Sequence, residues 1–302
     1  MSNTIWLSGS RGFVGVYVKE QLLESGVDVK CVSYQGGDDI IEVDFSKKAS
    51  IKSAMEKHGV PETFVHLGWG NVYEPHHESH INVNLQDGKN IVDQMYESGV
   101  KRIIHIGSSS EYGDRVGALK EDYVEPIGEV NNYVKGKVAL AKYGLEKAEQ
   151  LGKTFIHARL YYTYGAGQQH NSLINQLYRN AVESNGMHLS PCIHFRDYIF
   201  VEDAARGIIE MAKTNKSGII NLGSGSVIQL KEFVKMFWDA LDGDQNDLKF
   251  GSHEQPALEQ NQPRSYADLT RLKAQTGWEP STPMNQGIRL TVERLHSIHG
   301  TK

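Results

Sequence analysis

TIWLSGSRGFVGVYV, residues 4–18, reads as a strand (4–8), a turn with glycines at 9, 12 and 15, and the start of a helix over 13–25 that ends at Gly26. Each glycine has a mechanical use: a tight turn, backbone bare enough for a phosphate to approach, and close packing of helix on sheet. The helix start then offers unpaired N–H groups to a diphosphate. A glycine trio alone is common, but directly after the first strand of an alternating β/α series it points to a dinucleotide.

That series follows. Strand-like runs at 27–33, 40–45, 63–68, 102–107 and 154–161 alternate with helical runs at 49–58, 83–98 and 132–151. The alternation predicts an α/β fold with a parallel sheet covered on both faces. After Gly165 the rhythm breaks into a loop (166–172), a helix (172–184), the strand-like HFRDYIFV (194–201), and a helix (201–213) with acids in its first turn. GIINLGSGS (218–226) is then strand and turn, and the tail carries the turn-forming QNQPRSYADL and TGWEPSTP. We expect a Rossmann-type, doubly wound dinucleotide-binding domain of 1–165 plus about 199–225, and a smaller C-terminal substrate-binding domain of about 166–198 plus 226–302.

The totals narrow the partners. At 302 residues, 39% hydrophobic and 23% charged, the chain has an ordinary globular composition. A formal net charge of −5 without a basic stripe gives no reason to expect nucleic acid. No run approaches the roughly 18 apolar residues of a membrane helix, and MSNTIWLSGSRG lacks the charged and apolar regions of a secretory signal. Cys31 and Cys192, far apart in apolar-flanked segments, fit the reduced thiols of a cytoplasmic protein.

Two features concern the cofactor. NAD sites place an acid about 20 residues beyond the loop, whereas Val32, Ser33 and Tyr34 stand there. Arg11, inside the loop, suits a 2′-phosphate, which a guanidinium grips bidentately, or else a solvated role. NADP(H) is therefore favoured, with NAD(H) as the alternative. Asp44 and Phe45 suit an adenine contact, and Asp44 equally suits a helix cap.

NYVKGK (132–137) holds Tyr133 and Lys137, a YxxxK pair whose heads share one helix face. A phenol of pKa about 10 is a poor acid–base at neutral pH, and a neighbouring ammonium favours its phenolate. A hydroxyl from another strand, such as GSSSEYG (107–113) supplies, is the expected third partner. Tyr143 and Lys147 repeat the pattern on the same helix, rotated about 80° away at 3.6 residues per turn. Tyr133 lies nearer the helix start, at the sheet edge where α/β folds bind ligands. It is read as the acid–base residue, and Tyr143 as packing.

Taken together, the GxxGxxG spacing, the serines and YxxxK resemble the extended short-chain dehydrogenase/reductase family, which acts on nucleotide sugars. HLGW (66–69), INVN (81–84), RLYYTYGAGQ (159–168), FRDYIFVEDAARG (195–207), NLGSG (221–225) and TGWEP (276–280) continue the match in order, with Asn82 in the place of a family asparagine. The resemblance implies Ser108, Tyr133 and Lys137 as catalytic residues, Ser108 lying 25 residues before Tyr133 as the family spaces them. It implies cofactor contacts at Gly9, Arg11, Gly12, Phe13, Val14, Gly15, Asp44, Phe45, Leu67, Gly68, Tyr133 and Lys137. Substrate contacts are implied at Ser109, Asn171, Arg196 and Arg264, with a surface ion pair to Asp197 as the other reading of Arg196.

Ser109 and Ser110 stand where the family's 4,6-dehydratases carry Asp-Glu, so elimination of water is not expected, and Glu111, one place late, is expected to point elsewhere. GSSSEYG is closer to reductases of 4-keto-6-deoxy sugars. The family asparagine of RxxNxYG is Tyr162 here, and Gly68-Trp69 replaces a small pair. The resulting expectation is NADPH-dependent reduction of the 4-keto group of a nucleotide-linked 4-keto-6-deoxy sugar. A 4-epimerase with tightly bound NAD is the alternative, and a non-catalytic dinucleotide sensor is disfavoured by the intact Ser, Tyr and Lys. A homodimer through 83–98 and 132–151 is implied by the resemblance alone. His76, His77 and His80 are read as a solvated loop near the substrate mouth, with no metal.

Overall fold

The computed structural model describes residues 4–254 and 264–300. Its central sheet contains β1 (Thr4–Ser8), β2 (Asp28–Ser33), β3 (Ile40–Glu42), β4 (Thr63–His66), β5 (Arg102–Ser108), β7 (Thr154–Leu160) and β12 (Gly218–Leu222). These seven strands are all parallel, in the order β12-β7-β5-β4-β1-β2-β3. From β1 the chain winds outward to β3, then crosses back to β4. The order thus reverses between β1 and β4, and ligands bind at the carboxyl ends of strands beside such a switch point. This is the Rossmann-type architecture expected from the alternation.

Side chains alternate across each strand, and the two faces bury separate cores. Ile5 and Leu7 of β1 pack with α1 (Phe13–Glu24), α5 (Leu173–Val182), α6 (Val201–Met211) and α7 (Leu230–Asp239). Trp6 points the other way, into a core with α2 (Lys48–His58), α3 (Leu85–Glu97) and α4 (Asn132–Leu151). Outside the sheet lie short parallel pairs: β6 (Gly117–Leu119) with β15 (Ser265–Ala267), β8 (Tyr162–Tyr164) with β11 (Tyr198–Phe200), and β9 (Met187–Leu189) with β14 (Leu248–Phe250). β10 (Phe195–Arg196) pairs antiparallel with β13 (Ile228–Gln229).

Three elements differ from the sequence expectation. The strand expected over 40–45 stops at Glu42, because the Asp44 carboxylate accepts from the backbone N–H (3.1 Å) and hydroxyl (2.6 Å) of Ser46 and turns the chain. HFRDYIFV divides into β10 and β11. The helix expected from 83 begins as a π-helical turn over His80–Asn84 before α3, a single-turn irregularity typical of functional sites. Cys31 and Cys192 are both buried and no disulfide joins them. Among the described residues no helix is long and apolar enough to cross a membrane.

Candidate active site

The glycine turn lies where β1 meets α1. Gly9 has φ +75°, and a Cβ there would sit 2.7 Å from Gly68 N. At Gly15 a Cβ would reach 2.0 Å from Gly9 O. Both glycines are therefore required by chain packing. Gly12, the N-cap of α1, has an ordinary φ of −78° and no side-chain cap, and the first helical turn carries no acid. The helix start is left open and electropositive, which suits a diphosphate. Phe13, Val14 and Leu67 are partly buried, their side chains packed against the α1 core.

A cleft of about 220 Å³ continues from Gly9 past Ser33, Tyr34, Phe45, Gly68 and Trp69. Arg11 arches over the end of β2, donating to Ser33 Oγ (3.0 Å) and Gln35 O (3.2 Å). Phe45 is buried, and Tyr34 stands edge-on to its ring at 5.2 Å. Asp44 is committed locally, to Ser46 and to Lys47 at 2.8 Å. It turns the chain ahead of α2, whose N-cap is Lys47. The Tyr34 hydroxyl donates to Asp87 of α3, whose carboxyl burial raises above the usual range. The bare helix start and flat cleft together fit a nicotinamide dinucleotide.

Across the switch point, Ser108 ends β5 and Tyr133 and Lys137 rise from the first turns of α4. Asn131 caps that helix, accepting from Val134 N at 3.1 Å, and Tyr133 N–H donates to Pro75 O at 2.8 Å. The 74–80 loop is thereby docked on the helix start. Lys137, 3% exposed, donates to Ile106 O at 2.5 Å and faces His105 Nε2 at 3.5 Å. The Trp69 ring covers its ammonium at 4.0 Å, and the Tyr133 ring lies 5.7 Å away. Burial pulls the Lys137 pKa down to about 7, against a smaller upward pull from Glu111. Burial and Glu111 push Tyr133 up to about 12, with the Ser108 hydroxyl, its hydrogen-bond partner, acting in the opposite direction. In this packing burial, the largest cause, outweighs the acidifying pull expected of the neighbouring ammonium.

Sequence reading missed the groups beneath. His66, His105 and His157 occupy one register level on β4, β5 and β7, beside Ser8 of β1. Each ends a similar run, TFVH, RIIH and TFIH, and that repetition was the available signal. His66 Nδ1 meets Ser8 Oγ at 2.8 Å, and His105 and His157 bring their Nδ1 atoms to 2.9 Å. Burial holds His66 down to about 3 and His105 well below the usual histidine range.

Glu111, 0% exposed, folds under the serine turn. Oε1 accepts from Ser108 N at 2.7 Å, while Oε2 accepts from His157 Nε2 at 2.8 Å and Arg159 Nε at 3.1 Å. Burial pushes its pKa up, but His157 and Arg159 outweigh it and hold the carboxyl at about 2. Ser108 Oγ in turn accepts from Ser110 N at 3.1 Å, a capping box around the turn.

The histidine loop divides. His76 and His77 are exposed, but His80 is fully buried, which corrects its reading as solvated. Its Nδ1 accepts from Trp69 Nε1 at 3.0 Å, so its Nε2–H donates to Glu74 O at 3.1 Å. The π-helical turn also changes which asparagine faces inward. Asn82 is exposed, whereas Asn84 brackets Gly70, accepting from its N–H (3.3 Å) and donating to its carbonyl (3.0 Å).

A second cleft, of about 290 Å³, opens beyond the serines and includes Ser109, Ser110, Tyr162 and Arg196. Arg196 is buried with its guanidinium on the Tyr162 ring at 4.5 Å. The alternative of a surface pair with Asp197 does not hold. Asp197 is buried and accepts from Ser224 N (2.6 Å), Gly225 N (3.1 Å) and Ala267 N (2.9 Å). Among the described residues no carboxylate pairs with Arg196. Arg264 lies over the Phe195 ring at 3.8 Å, beside this cleft. Asn171 is exposed near the start of α5 and does not line it.

Comparison with known proteins agrees with this geometry. Residues 5–223 match the model of the NAD dependent epimerase/dehydratase family. A GDP-L-fucose synthase of Sinorhizobium fredii is 24% identical over 97% of this chain and 95% of its own length. A dTDP-6-deoxy-L-talose 4-dehydrogenase (NAD(+)) of Aggregatibacter actinomycetemcomitans is 25% identical over 77% of this chain and 88% of its own. The match to UDP-glucuronic acid decarboxylase 1 of Danio rerio, 24% identical over 64% of this chain, spans 46% of that protein. The solved UDP-glucose 4-epimerase of Thermotoga maritima superimposes with a TM-score of 0.84 at 20% identity, covering 98% of this chain and 99% of that one. At that identity the likeness is one of fold. The matched residues run from β1 through the glycine turn, serine turn and YxxxK to the end of β12, and the chain belongs to the NAD-dependent epimerase/dehydratase family, as an enzyme of the extended short-chain dehydrogenase/reductase type.

Proposed function

We propose that this enzyme reduces the C4 ketone of a nucleotide-linked 4-keto-6-deoxy sugar with NADPH. The observation that carries the reading is the make-up of the 108–111 turn: three serines above one carboxylate, Glu111, which is sealed beneath them on His157 and Arg159. No acid of the turn is placed to drive loss of water. Tyr133 rests protonated at neutral pH, as the proton donor that a reduction needs. The likeness to a dTDP-6-deoxy-L-talose 4-dehydrogenase supports redox chemistry at C4.

In this reading the diphosphate of the sugar nucleotide lies on Arg196, and the sugar reaches past Ser109 to Ser108 and Tyr133. A reduced nicotinamide held at the glycine turn would supply hydride to the carbonyl carbon. Ser108 holds the carbonyl oxygen, and Tyr133 gives that oxygen its phenolic proton. Lys137 then returns a proton to the phenolate and recovers one from solvent. Arg11 favours NADPH by meeting the 2′-phosphate at the end of β2. A homodimer through α3 and α4 accompanies the proposal and is read by sedimentation.

The test is loss of nicotinamide absorbance on mixing protein, NADPH and GDP- or dTDP-linked 4-keto-6-deoxyhexoses. Turnover is expected with at least one. Co-purifying NAD with interconversion of hexose epimers and no net redox would overturn the reading in favour of a 4-epimerase. Arg11→Ser is expected to weaken NADPH ~10–100-fold and leave NADH within about twofold, as for one charge-assisted pair of 1.5–3 kcal/mol.

A further inference from the structure

We propose that a hydrogen-bonded row crossing the sheet, Glu111–His157–His105, positions Lys137 and favours its ammonium form against the pull of burial, making His105 and His157 positioning residues for proton return. The inference rests on the reading of Tyr133 and Lys137 as the proton-transfer pair.

With His157 taken as neutral, which is part of the proposal, the direction of every bond in the row follows from its far end. Glu111 receives donors on both oxygens, from Ser108 N–H and from Arg159 Nε–H, so it is a carboxylate that accepts at every contact. His157 Nε2, 2.8 Å from Oε2, therefore carries a hydrogen. A neutral His157 then presents a lone pair at Nδ1. The facing His105 Nδ1, 2.9 Å away, must be the donor of that pair. This leaves a lone pair on His105 Nε2, the atom that faces Lys137 Nζ at 3.5 Å.

Everything around the Lys137 ammonium then attracts positive charge: an imidazole lone pair, the Ile106 carbonyl at 2.5 Å and the face of Trp69 at 4.0 Å. The other titratable neighbours do not compete for this role. His66 on β4 is bound to Ser8, and His80 from the π-helical turn spends both nitrogens on Trp69 and Glu74. Tyr133 is protonated at neutral pH, and Arg159 is occupied by Glu111 and the Tyr123 carbonyl. The logic is that of a buried carboxylate that fixes a histidine tautomer so that its far nitrogen can act, extended across two strands by a second imidazole. Burial alone pulls Lys137 downward, and the row opposes that pull.

Two measurements test it. Side-chain ¹⁵N NMR of the full chain, without substrate, is expected to show neutral His105 protonated at Nδ1 and neutral His157 protonated at Nε2. His105 protonated at Nε2, or either ring as an imidazolium at pH 7.5, would overturn the row. The second is the pH profile of kcat/KM for His105→Gln and His105→Phe. Lys137 must be an ammonium, so activity falls as pH rises through its pKa. Gln can accept from Lys137 and donate to His157, and should keep that limb at the wild-type pH. Phe keeps the ring and the packing but neither bond, and should move the limb down by about one unit. A profile kept by Phe and shifted by Gln would make His105 a packing residue and end the proposal. If the NMR result holds but no keto sugar is reduced, the row stands and the proposed function fails.

Discussion

α4 carries the same YxxxK signature twice, and beyond the shared Tyr and Lys the two copies differ in every surrounding. Tyr133 and Lys137 face the sheet, where Lys137 is buried on Ile106 O and His105 beneath Trp69. Tyr143 and Lys147 face α3, where the phenol donates to Asp93 at 2.6 Å and the ammonium pairs with the same oxygen at 3.1 Å. Lys48 reaches the other Asp93 oxygen at 2.8 Å. Burial raises the Asp93 pKa, but these three partners outweigh it and hold it low. One pair fastens two helices, while the other stands at a strand edge beside a serine turn and two clefts. A pattern of residue types sets which heads share a helix face, and the neighbours set what they can do.

The comparison breaks most visibly at the tyrosines. Tyr133→Phe is expected to lower turnover at least ~100-fold, the scale of a lost general acid, with cofactor affinity by fluorescence titration unchanged. Tyr143→Phe should leave turnover within about twofold and cost about 1 kcal/mol in urea unfolding, as for one hydrogen bond. Equal losses of turnover would remove the distinction.

The lysines follow. Lys137→Met should cost turnover ~100-fold without lowering Tm at pH 7, since a buried charge gives way to an apolar side chain. The folded pKa of about 7 lies below the unfolded value of about 10.5. Between these the unfolded chain binds more protons, so wild-type stability rises with pH across that window. The Met variant should lose this rise, as read by thermal melts from pH 7 to 10. Lys147→Met should cost ~0.5–1 kcal/mol and no activity.

A smaller effect sharpens the contrast between the faces. His66 is held at about 3, so below about 6.5 the unfolded chain takes up a proton that the native state refuses. Stability therefore falls as pH drops from about 6.5 toward 3, and His66→Phe should flatten that slope. Glu111, folded pKa about 2, adds a separate loss below its unfolded value of about 4.5. Asp93→Asn, which weakens all three contacts of that carboxylate, is expected to cost ~1–2 kcal/mol with kcat unmoved.

Much of this was legible in the sequence because it depends on local rules. Gly9, Gly12 and Gly15 announce a turn at a helix start, the β/α alternation announces a parallel sheet, and an i, i+4 pair announces a shared helix face. What stayed hidden depends on register and phase. His66, His105 and His157 are 39 and 52 residues apart in sequence, and only the alignment of β4, β5 and β7 makes them neighbours. The π-helical turn moved the inward position from Asn82 to Asn84, because one irregular turn rotates all that precedes it. Glu111 does point elsewhere than a dehydratase's acid, as expected, but where it goes was not legible. It points beneath the serine turn, because a capping box curls the turn back over its own carboxylate.

The histidine row also bears on how the sheet finds its alignment. Parallel strands pair late and over long loops, and a slip by one residue sends every side chain to the opposite face. If β5 slipped by one against β4 and β7, His105 would enter the face of Ile5 and Leu7 with no polar group opposite. A slip by two would set Ile103 or Gly107 between His66 and His157 and leave Glu111 with an unanswered charge. Apolar strands tolerate such errors cheaply, whereas a polar line across four of them fits at a single setting. The residues that set Lys137 thus also serve as a registration mark, read during folding before any ligand is present.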